Sequence, residues 1–115
     1  MGAFVISKKH NDEYKFVYTS RKGKIVFSSL GYELKMDCEA DIETVKANAA
    51  TAECLKFKSS NGKYFYKLMI DGKLFATSRK FTTELRLLKG VSEVALYVSK
   101  AEILDFSGVD IFAEE

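Results

Sequence analysis

The chain has 115 residues and a net charge of +2 at pH 7, with 47% hydrophobic and 30% charged residues. This length suits one domain with its own core, and the composition is that of an ordinary globular protein rather than a disordered one. The apolar N-terminus meets Lys8 and Lys9 too early for a signal peptide, and no apolar run approaches the ~20 residues that cross a bilayer. We therefore expect a cytoplasmic protein with no membrane partner.

The first half of the chain predicts short strands followed by a helix. The spacing of apolar residues changes from a period of about two to about 3.6 after Tyr32. In the helical part, apolar side chains recur at steps of four, three and four residues, at Cys38, Ile42, Val45 and Ala49. Such a stripe lies on one side of a helix and is expected to face the sheet.

The second half of the chain repeats this pattern. Segment 14–18 matches segment 64–68 at an offset of 50, and from Gly23 and Gly72 onward the offset is 49, so a one-residue slip falls in a turn. The helical stripe recurs at Leu87, Val91, Val94 and Val98. Segment 101–106 then matches segment 52–57 and predicts a closing C-terminal strand.

We therefore predict an α+β fold built by tandem duplication of a βββα unit. An antiparallel sheet is expected to pack against two helices, and the C-terminal strand closes the fold. The predicted organisation is a single domain over residues 1–115, made of two repeats at about 1–51 and 52–115.

The turns between the predicted strands differ between the two repeats. In the second repeat, Asn61-Gly62 and Asp71-Gly72 are typical of two-residue hairpin turns, because both central positions of such a turn need a positive φ. In the first repeat, residues 10–13 and 20–23 predict longer loops.

The repeated unit resembles the YegP-like family of small bacterial proteins, and the resemblance covers nearly the whole chain. The residues that carry it are Tyr14, Phe16, Gly23, Ile25, Ser29, Tyr32, Ile42, Val45, Lys46, Asn48 and Ala49. The chain departs from the family pattern in its helices, where Asp41 replaces a glycine in the first repeat and Tyr97-Val98 replaces Asn-Ala in the second. The Asn before the turn Gly is also replaced, by Lys22 and Asp71. The resemblance implies the architecture and no mechanism.

Catalytic and metal-binding patterns are missing from the sequence. The only histidine, His10, lies in a predicted loop, and Cys38 and Cys54 are too few and too far apart for a zinc motif or a disulfide framework. No nucleophile or phosphate-loop motif occurs. We expect no catalytic residue, no metal and no cofactor, and an enzyme would need a cleft between the repeats that gathers Ser29, Tyr32 and Ser78.

Charge is unevenly distributed along the chain. The predicted strand segments 1–32 and 52–81 carry +9 together, whereas the helical segments and the tail carry −7. The candidate anion-binding residues on the strands are Lys15, Arg21, Lys24, Lys67 and Lys73. A basic sheet with aromatic residues favours nucleic acid as an alternative partner, although exposed lysines also prevent strands from aggregating edge to edge.

One face of the predicted strands carries more apolar residues than a face exposed to water normally does. If the tyrosines of segments 14–18 and 64–68 face the helices, then Val17, Phe65 and Met69 face away from them. The uncovered face of an antiparallel sheet is normally polar, so a second layer is expected there, either the other repeat or another subunit. The leading hypothesis is a non-enzymatic protein-interaction or self-association module that uses these residues, with a homo-oligomer or another protein as partner.

Overall fold

The structure is a computed structural model and describes residues 2–108. In chain order, the elements are β1 (Ala3–Lys8), β2 (Tyr14–Thr19), β3 (Ile25–Ser28), α1 (Lys35–Asn48), β4 (Glu53–Lys58), β5 (Tyr64–Ile70), β6 (Lys73–Ser78), α2 (Glu84–Tyr97), a 3₁₀ turn (Val98–Lys100) and β7 (Glu102–Asp105). The predicted α+β class, with two helices and a C-terminal strand, is confirmed.

The seven strands form one sheet in the order β4-β5-β6-β3-β2-β1-β7. β3 and β6 join its two halves through the antiparallel pairs Phe27 with Ser78 and Ser28 with Thr77. The sheet is antiparallel, as predicted, from β4 to β1, but β7 pairs in parallel with β1, so the complete sheet is mixed. A parallel pair needs a long crossover connection, and here most of the chain separates β1 from β7.

Both helices pack on the same face of the sheet, α1 against β2 and α2 against β5. The buried stripes are those predicted from the spacing: Cys38, Ile42, Val45 and Ala49 in the first half, and Leu87, Val94 and Val98 in the second, with Val91 partly buried. Thr83 caps α2 by accepting a hydrogen bond from the Arg86 amide at 3.1 Å, which satisfies one of the free N–H groups at the helix start.

An aromatic cluster forms the core beneath α1. The Phe4 side chain is fully buried, and its ring centroid lies 5.7 Å from Phe16, 5.3 Å from Tyr18 and 6.0 Å from Phe27. These distances lie in the range of favourable aromatic pairs. Because the four rings belong to three neighbouring strands, the cluster fixes β1, β2 and β3 together.

The same buried hydrogen bonds occur in each half of the molecule. The Phe16 amide donates to Ser29 Oγ at 2.9 Å, and the Tyr66 amide donates to Ser78 Oγ at 2.9 Å. Each serine hydroxyl donates in turn to the carbonyl of the next residue at 2.7 Å. These bonds satisfy buried main-chain groups at the point where each third strand ends, which explains why serine occupies both positions.

The loops differ from the sequence prediction in one place. The loops from β1 to β2 and from β4 to β5 have the same length and hydrogen bonds, so the prediction of a two-residue turn at Asn61-Gly62 was wrong: positive φ occurs at Gly62 and not at Asn61. Asp71 and Gly72 both have positive φ, as a tight hairpin requires. The β2–β3 connection has five residues and the β5–β6 connection has two, and the one-residue slip seen in the sequence lies in this part of the repeat.

The edge strand β7 is attached to α1 by a salt bridge between Lys35 and Asp105. The Ser107 amide and hydroxyl also donate to Asp105 Oδ1, at 2.9 Å and 2.6 Å. The hydrogen bond from Lys35, followed by those from Ser107, lowers the pKa of Asp105 to about 2, and the same contact raises the pKa of Lys35.

This salt bridge predicts an acid-sensitive contribution to stability. Because the folded-state pKa of Asp105 is below its ordinary value, its ionised form favours the folded state above about pH 4, and this contribution disappears as the pH falls toward 2. Asp105→Asn is expected to lower the free energy of unfolding by about 1 kcal/mol or less at pH 7, since the pair is partly exposed. Urea unfolding at pH 7 and at pH 2.5, with Glu102→Gln as the control, measures this. An equal loss at both pH values would contradict the assignment.

Candidate functional site

One face of the sheet is left uncovered by the described residues. Since α1 and α2 pack on the same face, every second strand residue points to the opposite one, which we call the open face. Its apolar side chains, assigned from strand register, are Ala3, Val5, Val17, Ile25, Leu55, Phe57, Phe65, Met69, Leu74 and Leu104. None of them belongs to the fully buried core.

The predicted interaction residues Val17, Phe65 and Met69 all lie on the open face and are half-buried. Val17 pairs with Val5, and Met69 pairs with Leu74. One row of paired residues crosses all seven strands of this face: it is apolar at Leu55 and at Val17, Val5 and Leu104, and polar at Lys67, Thr77 and Ser28 between them.

Few charges interrupt this surface. The strand residues on it include two lysines, Lys15 and Lys67, and two glutamates, Glu53 and Glu102. The Lys67 ammonium lies 5.2 Å from the centroid of the Phe57 ring, which stacks on Phe65 at 5.4 Å. Lys67 therefore lies over part of the aromatic surface. The two lysines and two glutamates on the strands of the open face give these strand residues no net charge.

The five predicted anion-binding residues are not brought together. Lys15 and Lys67 lie on the open face in different halves of the sheet, whereas Arg21 and Lys24 lie in the β2–β3 connection. Lys73 lies at the start of β6, with its ammonium 3.9 Å from Asp41 of α1 and 5.0 Å from the Phe75 centroid. The uneven charge along the chain therefore does not translate into one basic sheet face.

The three polar residues considered for an enzymatic cleft are also kept apart. The hydroxyls of Ser29 and Ser78 are engaged with main-chain groups in separate halves. The Tyr32 hydroxyl donates to Asp41 Oδ2 at 2.7 Å, and burial, followed by this hydrogen bond, raises the pKa of Tyr32. All three side chains therefore have structural partners.

A different cleft lies on the helix side, between α2 and the β2–β3 connection. It has a volume of about 610 Å³ and is lined by buried Tyr18, Val26, Phe81 and Gly90, by Gly2 and Ser20, by exposed Tyr97, and by six charged residues, Arg21, Lys22, Arg79, Arg86, Lys89 and Glu93. We call it the basic cleft. Sequence reasoning identified only Arg21 among its cations, because the others are distant in the chain and were assigned to different elements.

The remaining candidates from the sequence have ordinary surroundings. His10 is exposed in the first loop, Cys38 is a buried free thiol, and Cys54 is a partly buried free thiol. Burial, followed by nearby carboxylates, raises the pKa of Cys38 to about 11, so its thiolate is disfavoured. Within residues 2–108, no group of three or more His, Cys, Asp or Glu is placed to hold a metal ion. No helix in that part of the chain has the length and apolarity needed to cross a bilayer.

Sequence reasoning also missed a leucine stripe on the outer side of α2. Leu85, Leu88 and Leu96 are 78%, 43% and 60% exposed and follow one another at steps of three and eight residues, which keeps them on one side of the helix. The stripe is narrow compared with the open face.

Comparison with known proteins identifies relatives over most of the chain. The family model described as "Domain of unknown function (DUF1508)" matches residues 10–55, from the loop before β2 into β4. The UPF0339 protein YegP of Escherichia coli K12 is 26% identical over 95 residues, which cover 81% of this chain and 86% of that protein. A UPF0339 protein encoded in the ptx operon 5′ region of Stutzerimonas stutzeri is 26% identical over 106 residues, covering 90% and 96%.

Two solved structures have the same fold. The solution NMR structure of Escherichia coli yegP, described as a protein of unknown function, superposes with a TM-score of 0.83 at 23% identity and covers 95% of this chain and 96% of that one. The solution NMR structure of a UPF0339 protein from Shewanella oneidensis gives a TM-score of 0.84 at 25% identity and covers 92% of each chain. The family model, the relatives and the shared fold together support the similarity of this chain to the YegP-like family.

Proposed function

We propose that this protein is a non-enzymatic interaction module that self-associates through the open face of its sheet. The observation that carries the proposal is the uncovered apolar surface around Val17, Phe65 and Met69. An antiparallel sheet with one face on a core normally presents alternating polar residues to water on the other. Here ten apolar side chains occupy that side, so a second layer would stabilise it.

The open face has the area that a specific dimer needs. Seven strands spaced at ~4.8 Å make a sheet about 34 Å wide, and about six residues per strand make it about 20 Å long. The resulting area of roughly 700 Å² approaches the ~800 Å² per partner of a standard interface. Two such faces pack directly in the manner of a β-sandwich, about 10 Å apart.

Charge favours a second copy of the chain as the occupant. Among the strand residues of the open face, Lys15 and Lys67 are balanced by Glu53 and Glu102. A face that carries equal numbers of both signs does not repel itself, and each lysine has carboxylates on the partner's face with which to pair. A strongly charged partner gains no such complementarity.

Features shared by the two halves of the chain suggest how the open face arose. Both halves share their loop from the first to the second strand, their serine hydrogen bonds and their 14-residue helices, and the family model spans 46 residues, close to the 49-residue offset. These features support a tandem duplication within one domain, with repeats at about 1–51 and 52–115. Duplication doubles the width of a sheet whose outer face was already apolar.

Sedimentation equilibrium over a wide concentration range tests self-association. The chain is expected to form a dimer, and Val17→Lys is expected to weaken the dimer at least about tenfold, because it places an unpaired charge in an apolar interface. Leu88→Lys, on the outer side of α2, is the matched control and should leave the dimer unchanged. A strict monomer, or a dimer broken by Leu88→Lys alone, would contradict the proposal.

Nucleic-acid binding is a second candidate, favoured by one corner of the open face. There the stacked rings of Phe57 and Phe65 are flanked by Lys67 and Lys80, whose ammonium groups lie 5.2 Å and 6.0 Å from the ring centroids. Aromatic rings with adjacent cations are typical of single-strand binding surfaces. This candidate requires binding to an oligonucleotide at low salt that weakens steeply as salt is added. Absence of any shift at low salt removes it.

A further inference from the structure

We propose that the basic cleft is a binding site for a small molecule that carries two or more phosphate charges. The cleft lies on the helix side of the sheet and uses none of the open-face residues, so the proposal is independent of self-association. Its volume of about 610 Å³ lies within the ordinary range for small-ligand sites.

The charges around the cleft are strongly unequal. Five cations line it, Arg21, Lys22, Arg79, Arg86 and Lys89, against a single carboxylate, Glu93. The four salt bridges found among residues 2–108 all involve other residues. Like charges gathered at a concave surface produce a focused positive potential, which attracts anions.

The shared scaffold does not require these cations. At the offset of 49, the positions of Arg79, Arg86 and Lys89 correspond to Leu30, Asp37 and Ala40 in the first half, so the equivalent surface there carries no cation from these positions. Three of the five cations therefore occur in the second half alone, and they meet Arg21 and Lys22 of the first half at the cleft, as expected for a binding site added to a repeated fold.

The cleft is also kept open by a difference between the helices. In the first half, Asp41 accepts a hydrogen bond from Tyr32 at 2.7 Å and lies 3.9 Å from Lys73, so side chains fill the equivalent space. Gly90 takes the place of Asp41 in α2. There Phe81 lies against the bare helix backbone, since a Cβ on Gly90 would come within 2.8 Å of its ring.

Arginine chemistry points to phosphate among the possible anions. Three of the five cations are arginines, whose planar guanidinium groups donate paired hydrogen bonds to phosphate oxygens. Arg79 is oriented in advance, because its guanidinium carbon lies 4.4 Å from the centroid of the buried Phe81 ring. Tyr18, Val26 and Phe81 also line the cleft and provide an apolar surface next to the cations.

Titration with pyrophosphate at constant ionic strength, followed by calorimetry and by amide NMR shifts, tests this site. We expect saturable 1:1 binding with shifts at Arg86, Lys89 and Gly90, and at least about a tenfold loss of affinity in Arg86→Gln. Lys56→Gln, an exposed lysine on β4, is the matched control and should bind as the parent chain does. In buffer alone, Arg86→Gln should be no less stable than the parent chain, because it relieves repulsion between cations.

Three further results would overturn the proposal. The first is no saturable binding of pyrophosphate or ATP at millimolar concentration. The second is equally tight binding of citrate, which would show that any polyanion suffices. The third is binding of a short single-stranded oligonucleotide that is tighter than that of ATP and is lost in Arg86→Gln, which would assign the cleft to nucleic-acid phosphates.

Discussion

Phe4→Ala is expected to lower the free energy of unfolding by about 3–5 kcal/mol, the largest loss that we predict for any single substitution in this chain. The Phe4 side chain is fully buried and contacts the rings of Phe16 and Tyr18 on β2 and of Phe27 on β3. Its removal leaves a cavity that these rigid rings cannot fill by rotating. Since domains of this size have about 5–15 kcal/mol of stability in total, the variant should be only marginally folded at 25 °C.

Phe57→Ala provides the matched control for this prediction. Phe57 stacks on Phe65 but is 39% exposed on the open face, so its loss should cost about 1 kcal/mol in the monomer. Urea unfolding followed by circular dichroism compares the two variants at low protein concentration. Equal losses for Phe4→Ala and Phe57→Ala would show that the aromatic cluster under α1 is not the main core.

Gly90→Asp is expected to cost about 2–4 kcal/mol, although the first half of the molecule carries aspartate at the equivalent position. The new Cβ would lie 2.8 Å from Cζ of Phe81, a ring that is 4% exposed and lies beneath Arg79. The carboxylate would also lack the tyrosine hydroxyl that Asp41 uses. Gly90→Ala adds the same Cβ without the charge and gains about 1 kcal/mol of helix propensity, so its net loss should be about 1 kcal/mol.

A double variant separates the steric effect of the new Cβ from the lack of a hydrogen-bond partner for the carboxylate. Phe81→Tyr combined with Gly90→Asp recreates the Tyr32–Asp41 pair of the first half, in which the hydroxyl and carboxylate are 2.7 Å apart. We expect it to recover at least about 1 kcal/mol relative to Gly90→Asp. Chemical denaturation of the four chains measures the coupling. Full stability of Gly90→Asp with Phe81 retained would contradict the packing described for this helix.

The local elements were predictable from the sequence because their signals are periodic. The stripes through Ile42 and Leu87 fixed the buried sides of both helices, and the change of offset from 50 to 49 located the longer β2–β3 connection. Strand order was not predictable, because the halves are joined by only two residue pairs, Phe27 with Ser78 and Ser28 with Thr77. Neither pair has a distinctive sequence signal, and the parallel pairing of β7 with β1 has none either.

The open face and the basic cleft also differ in how far they could be predicted from the sequence. The open face follows from strand alternation, so Val17, Phe65 and Met69 were placed on one side before the sheet order was known. The basic cleft draws Arg21, Arg79 and Arg86 from three separate segments, and only the tertiary fold brings them together. Its sequence signal was the difference between Asp41 and Gly90 at equivalent positions of the two helices.

A dilution series of methyl NMR spectra tests the proposed self-association face most directly. If two chains associate through the open face, the methyl signals of Val5, Val17 and Leu104 should shift with protein concentration, whereas those of Ile42 and Val94, buried between the helices and the sheet, should not. Shifts confined to the leucines on the outer side of α2, or none at any concentration, would contradict the account.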